Sequence, residues 1–513
     1  MRASSTNRDT DASGGHRCPK RSNGRSSSSS MGSSDSHPSS WVILNKHGAR
    51  RDSFPGDRTT STTFRSSDGK EISVSFELVE PPGTSVLVVE CPPQEPGPPA
   101  SALWHSCQPC VIAAHRDVVL LEITCPQLDS PYSCRFVDYL VYQASGGGGS
   151  SRRPSLSLLP DHCKRETASC SEATPRPSPV RIFVREKHTG IMSCGGRNQE
   201  QDSSFVVAQL HVAHDRKIWP PSSKPSEITV SMFRSWSGEW EIFKNLHVHG
   251  SNGGRDLEWW STDAVVAYRR RFFIWVDYYR GMILLDMSSQ LSQEKSPPPP
   301  RPELRYVPLP VDTVPGDPED PYFGRGSPRM FRSVCATRDG VKFVSVDHQR
   351  CSSFGVGHAG RLRWKQTFRI TTWSLQEDDD GGDYTWRKEA TMSEGELWDA
   401  LNSERRRRRI PHLTPEYPAV YMENPDAVCF RLRNDDRYKS DEPTWMVEVH
   451  MKKKVLMAAT AYSESKDGSS CGCYVDKGTI ESARISSEGH LSFPSELPRY
   501  LVGGQACKKR TQL

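Results

Sequence analysis

Residues 265–277 read VVAYRRRFFIWVD. Two short apolar runs flank a polar turn at Arg270-Arg271. Each run has the length of a strand and is too short for a helix. The same design returns at 111–123 (VIAAHRDVVLLEI, turn at Arg116-Asp117), at 333–347 (SVCATRDGVKFVSVD, turn at Asp339-Gly340) and at 420–433 (VYMENPDAVCFRLR, turn at Pro425-Asp426). A lone hairpin cannot hide its apolar face from water, so four of them predict stacking around shared cores. The expected fold is mainly β, a propeller-like ring of antiparallel hairpins, with paired β-sandwiches as the alternative. At roughly 40–50 residues per four-stranded blade, about six to eight blades are expected.

Outward from these hairpins, strand-like alternation occurs at 72–78, 86–89, 205–212 and 445–451, and ordered sequence starts near Trp41 in WVILN. Low-complexity insertions are expected at about 145–179 and 292–302. They fall at matching places: Asp138 stands to Pro154, opening PSLSLLP, as Asp286 stands to Pro302, opening PELRYVPLP. Proline at both ends of a short strand suits a sheet edge. Two hairpins carry tryptophan, with Trp236 and Trp240 about Ser237-Gly238, and Trp373 and Trp386 about an acidic tip. One helix is expected near 394–405. Ser393 to Glu396 fits a capping box, Leu397, Trp398 and Leu401 form an apolar stripe, and Pro411 stops it.

Hydrophobic residues make up 35% of the 513, which points to unpacked segments. Residues 1–40, Ser- and Arg-rich with hardly an apolar side chain, are expected to be a disordered tail, and 501–513 a basic tail. Residues 41–500 then form the ring. The acid-poor start also has the composition of a plastid transit peptide. Neither a signal-peptide core nor a membrane-length apolar run occurs, and no Asn-x-Ser/Thr acceptor. Fifteen cysteines without a secretory signal are expected to be mostly reduced, which places the protein in the cytosol or nucleus. A net charge of +5 over this length is no nucleic-acid signature.

Residues 259–287 (WWSTDAVVAYRRRFFIWVDYYRGMILLDM) and 304–310 (LRYVPLP) resemble a plant family expanded in grasses and known as domain of unknown function family 1618. WVILN, DYLVYQA with PSLSLLP, and the Trp373 hairpin look like its members too. The resemblance covers most of residues 41–456 and implies no catalytic residues. The family is also similar to the propeller-like region that follows F-box motifs in plant ubiquitin-ligase receptors. An F-box would need a helical stretch with a Leu-Pro start, which the polar segment before Trp41 lacks. A ligase role would therefore need a separate adaptor.

Candidate sites divide as follows. Gly355, Gly357 and Gly360 match G-x-G-x-x-G with Asp380 beyond, but no strand precedes and no helix follows, so a loop is expected rather than a dinucleotide site. Cys107 and Cys110, with His105, His115, Cys125 and Cys134, offer soft zinc ligands, yet the second knuckle of a zinc site is missing. Cys471 and Cys473 read as loop thiols. Residues 377–383 (EDDDGGD) lack calcium-loop spacing and read as a solvated hairpin tip. Lys452 to Lys454 reads as a protected strand edge. Arg405, Arg406, Arg407, Arg408 and Arg409 solvate a helix end or form a nuclear localisation signal, with phosphate contact as a third reading. No nucleophile elbow, phosphate loop or paired carboxylates occur. The expectation is a non-enzymatic scaffold without cofactor that binds a protein partner not named by the sequence. The alternatives are a ubiquitin-ligase recognition subunit and a small-molecule enzyme working in the ring's channel.

Overall fold

The computed structural model describes residues 40–51, 58–66, 69, 71–90, 109–125, 136–144, 153–160, 162–163, 181–182, 184–195, 204–214, 224–291, 300–311, 327–350, 355–356, 362–363, 366–378, 383–408, 410–432, 444–462 and 492–501. The expected tails at 1–40 and 501–513 lie outside these, apart from Ser40 and Leu501, as do 145–152, 164–180 and 292–299 within the two expected insertions.

Six antiparallel sheets stand in a ring as propeller blades, which removes the β-sandwich alternative. Blade 2 runs outward through Cys110–His115, Val118–Cys125, Phe136–Gln143 and Ser155–Leu158. Blade 3 follows with Thr189–Ser193, Phe205–His214, Pro225–Arg234 and Glu239–Phe243. Blade 4 has Ala264–Tyr268, Phe272–Asp277, Gly281–Asp286 and Leu304–Pro308. Blade 5 has Arg332–Ala336, Val341–Arg350, Gln366–Glu377 and Tyr384–Ser393, and blade 6 has Glu416–Val420, Ala427–Leu432, Thr444–His450 and Val455–Tyr462.

Blade 1 is assembled from both halves of the chain. Its innermost strand is the late Ser492–Ser495, antiparallel to Val42–Asn45, which in turn lies parallel to Thr84–Glu90; Glu71–Glu77 and Thr62–Arg65 complete it. The ring is thus closed by hydrogen bonds between segments far apart in sequence.

Side-chain alternation explains why the second strands read as unbroken apolar runs. In Phe272–Asp277, Phe272, Ile274 and Val276 enter the core shared with blade 5, while Phe273 and Trp275 enter the core shared with blade 3. In blade 2, Val119, Leu121 and Ile123 face blade 1, and Val118 and Leu120 face blade 3. A strand between two blades is buried on both faces, so its pattern loses the apolar-polar rhythm of a half-exposed sheet. The last gap is filled by Trp41, Ile43, Tyr421, Ala427 and Cys429, with Trp41 and Tyr421 edge-on at 4.8 Å.

The proline-bracketed strands and the tryptophan hairpins turn out to be one device. Trp240 Nε1 donates to the Pro160 carbonyl at 2.8 Å, joining the outer strand of blade 3 to that of blade 2. Trp386 Nε1 donates to the Pro308 carbonyl at 2.9 Å, joining blade 5 to blade 4 in the same way.

The helix forms as expected but runs further, over Glu394–Arg408. Ser393 N–H donates to Glu396 Oε2 at 2.8 Å, the capping box the sequence predicts. Leu397, Trp398 and Leu401 are buried in the core between blades 5 and 6. Three local expectations need correction. Lys452, Lys453 and Lys454 lie in the turn between two strands of blade 6, with Lys454 at φ 56°, rather than along a strand edge. Trp236 sits in its turn and not on a strand. Leu304–Pro308 is not a free edge, because Val248–His249 pairs with its start in parallel.

Candidate functional site

The first strands of the blades line a channel of about 390 Å³. Ala264 to Tyr268, Ser333 to Ala336 and Pro418 to Ala419 give it small or apolar walls. The cationic side chains collect at its ends. Arg116, Arg269, Arg338 and Arg499 follow the inner strands of blades 2, 4, 5 and 1 and stand at one mouth, with Glu496. Lys187, Arg329 and Arg332 precede or open inner strands and stand at the other, with Glu186. All four hairpin turns of the opening pattern join a first strand to a second, so the fold brings them to the first mouth together.

At the far mouth some of these groups have partners. Lys46 Nζ lies 2.7 Å from Glu186, and Arg332 Nη1 donates to the Tyr278 carbonyl at 2.7 Å. At the turn mouth, some arginines are also satisfied: Arg338 is 3.1 Å from Glu423 Oε1, and Arg499 is 2.6 Å from Glu496. Arg269 leans on the carbonyls of Arg338 and Asp339.

Arg116 and Arg270 differ from these. The Nε atom of each is buried with no hydrogen-bond partner. Among the described residues neither forms an ion pair. Burial and the Arg116 charge lower the Arg270 pKa from its ordinary value, with Tyr500 and Asp117 only partly opposing them. Both residues are only partly exposed, and the Arg116 guanidinium sits 5.6 Å from the centre of the Tyr500 ring. Two titratable groups beside them are held neutral. His115 Nδ1 accepts from Ser193 N–H at 3.1 Å, and desolvation together with Arg116 and Arg270 holds its pKa well below the usual imidazole range. Burial pushes the Cys194 thiol up to about 12.

The residues singled out from sequence fall elsewhere. Arg405, Arg406, Arg407 and Arg408 lie in the last turns of the helix, which follows the outermost strand of blade 5; Arg409 is outside the described residues. Cys110 and His115 occupy opposite ends of one inner strand, with Cys110 Sγ 3.6 Å from His47 Nδ1. His105, Cys107 and Cys134 lie outside the described residues. Among those described, no three His, Cys, Asp or Glu side chains gather as a metal site. Gly355–Val356 is a two-residue strand paired with Leu362–Arg363, while Gly357, Gly360 and Asp380 are outside the described residues, as are Cys471 and Cys473. Glu377 and Asp383 flank a hairpin tip and reach Arg271 at 3.8 Å and Arg305 at 3.9 Å. No helix among the described residues is long and apolar enough to cross a membrane.

Sequence reasoning passed over Arg116 and Arg270. A signal was present, since HRD, YRR and TRD place an arginine at or just beyond the end of three inner strands.

Residues 275–429 match the family model described as Protein of unknown function (DUF1618), a span from the second strand of blade 4 to the second strand of blade 6. This is the family that the sequence resembles. No curated protein matches the chain.

Proposed function

We propose that the protein is a non-enzymatic protein-binding ring whose partner presents acidic chemistry to the turn mouth of the channel. The supporting observation is the Arg116 and Arg270 pair, partly buried, each with an Nε that has no hydrogen-bond partner, and neither in an ion pair among the described residues. Rigid β frameworks present binding chemistry on their turns, and arginine is favoured where anionic groups are recognised. The test is affinity purification of the tagged full chain beside an Arg116→Gln, Arg270→Gln double variant. A partner retained by the first and lost from the second supports the reading; equal recovery by both contradicts it. A cullin-type component among the recovered proteins would make the ring a recognition subunit of a ubiquitin ligase.

A small-molecule enzyme is the second reading, favoured by the size of the channel. The groups nearest the arginines weigh against it. A nucleophilic cysteine needs a lowered pKa, and that of Cys194 is raised.

A further inference from the structure

We infer that Arg116 and Arg270 form a clamp for a phosphate monoester, carried on a side chain of the protein partner. Among the described residues, four arginines have a buried Nε without a partner, and a comparison among them isolates these two. Arg234 is held at its terminal nitrogens by Glu241 at 2.5 Å and Gln290 at 3.0 Å, and Arg431 by Glu416 at 2.6 Å. Among the described residues no carboxylate pairs with Arg116 or Arg270, and each lies in the other's positive field. Two like charges held together and partly desolvated are unfavourable unless an anion joins them.

The chemistry of the missing anion follows from the donors. Two guanidinium groups together offer more N–H donors than one carboxylate can accept and twice its charge. A phosphate monoester carries close to two negative charges and three acceptor oxygens, and planar guanidinium forks match it in bidentate fashion. Of the acids at this mouth, Glu496 is paired with Arg499 at 2.6 Å and Asp117 acts on Arg270 without forming an ion pair, while His115 and Cys194 are neutral. The Tyr500 ring beside Arg116 holds that guanidinium in place by a cation–π contact.

This inference rests on the protein-binding reading for the source of the phosphate, and the experiment separates the two. Thermal melts of the full chain are recorded with increasing inorganic phosphate and, in parallel, with sodium chloride at matched ionic strength. A ligand that binds only the folded state raises the melting temperature. Phosphate should raise it above the chloride control. The rise should vanish in Arg116→Gln and in Arg270→Gln, shrink in Arg270→Lys, which keeps the charge but loses the fork, and persist in Arg305→Gln on the outer strand of blade 4. No phosphate-specific rise, or one unchanged in the Gln variants, overturns the clamp. A second arm passes phosphoserine peptides with randomised flanks, and the same peptides unphosphorylated, over the immobilised protein. At least tenfold preference for the phosphorylated set assigns the group to a partner side chain. Phosphate binding without that preference overturns the partner source and leaves free phosphate esters as the ligand. Partner capture can succeed or fail independently of both arms.

Discussion

His115 sits where charge and burial act together. Its Nδ1 is committed to the Ser193 amide, and its surroundings disfavour the imidazolium, as do those of His188, also lowered by burial. The folded-state pKa values lie below the 6.5 of a free imidazole. As pH falls through that value, the unfolded chain takes up protons that the folded chain refuses, so stability is present above it and lost below. The melting temperature should therefore decline from pH 7 to pH 5. His115→Gln, which keeps an acceptor for Ser193 N–H but does not titrate, should show a shallower decline. An identical pH profile for the variant would refute this role. That His115 is held neutral was not legible in the sequence, because Arg270, which helps to hold it so, comes from a blade two places along the ring. The arginine at the end of three inner strands was legible as a pattern, but the meeting of those turns at one mouth is a property of the closed ring.

Among elements, the hairpins were the most legible feature. Turn residues and strand-length apolar runs are local signals, and all four turns of the opening pattern connect paired strands. The helix was equally local, since a capping box, an apolar stripe and a stopping proline lie within one stretch. Less visible was what holds neighbouring blades together. Gly190, on the inner strand of blade 3, has no room for a side chain: a Cβ there would meet Val265 Cγ1 at 2.6 Å and the Phe273 ring at 3.1 Å. Gly190→Ala should destabilise by about 1–3 kcal/mol, the usual cost of overpacking, measured by chemical denaturation. An unchanged midpoint would mean that blades 3 and 4 do not approach so closely. At the rim, the indole of Trp386 reaches the Pro308 carbonyl of the next blade. Trp386→Phe keeps most of the ring and removes the N–H, and should cost about 0.5–1.5 kcal/mol in the same assay. The sequence showed tryptophan hairpins and proline-bracketed strands as separate features; their bonding was hidden because the partners lie on different blades. The Lys452 to Lys454 turn was misread for a related reason, since the charged residues follow directly on a strand and carry no glycine or proline to mark the bend.

For the whole molecule, closure is the least local feature. Val42–Asn45 and Ser492–Ser495 pair antiparallel in blade 1, from Val42 with Ser495 to Asn45 with Ser492. Nothing in either short segment announces the other. The apolar WVILN marks the start of ordered sequence, and nothing in the sequence of its partner SFPS marks a strand. Closing the ring gives the first and sixth blades a common core around Trp41 and Tyr421 and brings Tyr500 beside Arg116 at the turn mouth. A ring with an unpaired inner edge would lack both. Hydrogen exchange of the full chain, followed by mass spectrometry, tests this directly. The account predicts that amides of Ser492–Ser495 are protected and exchange together with those of Val42–Asn45, as one cooperative unit. Exchange of Ser492–Ser495 at the rate of an unstructured peptide, while the inner strands of blades 2 to 6 stay protected, would contradict it.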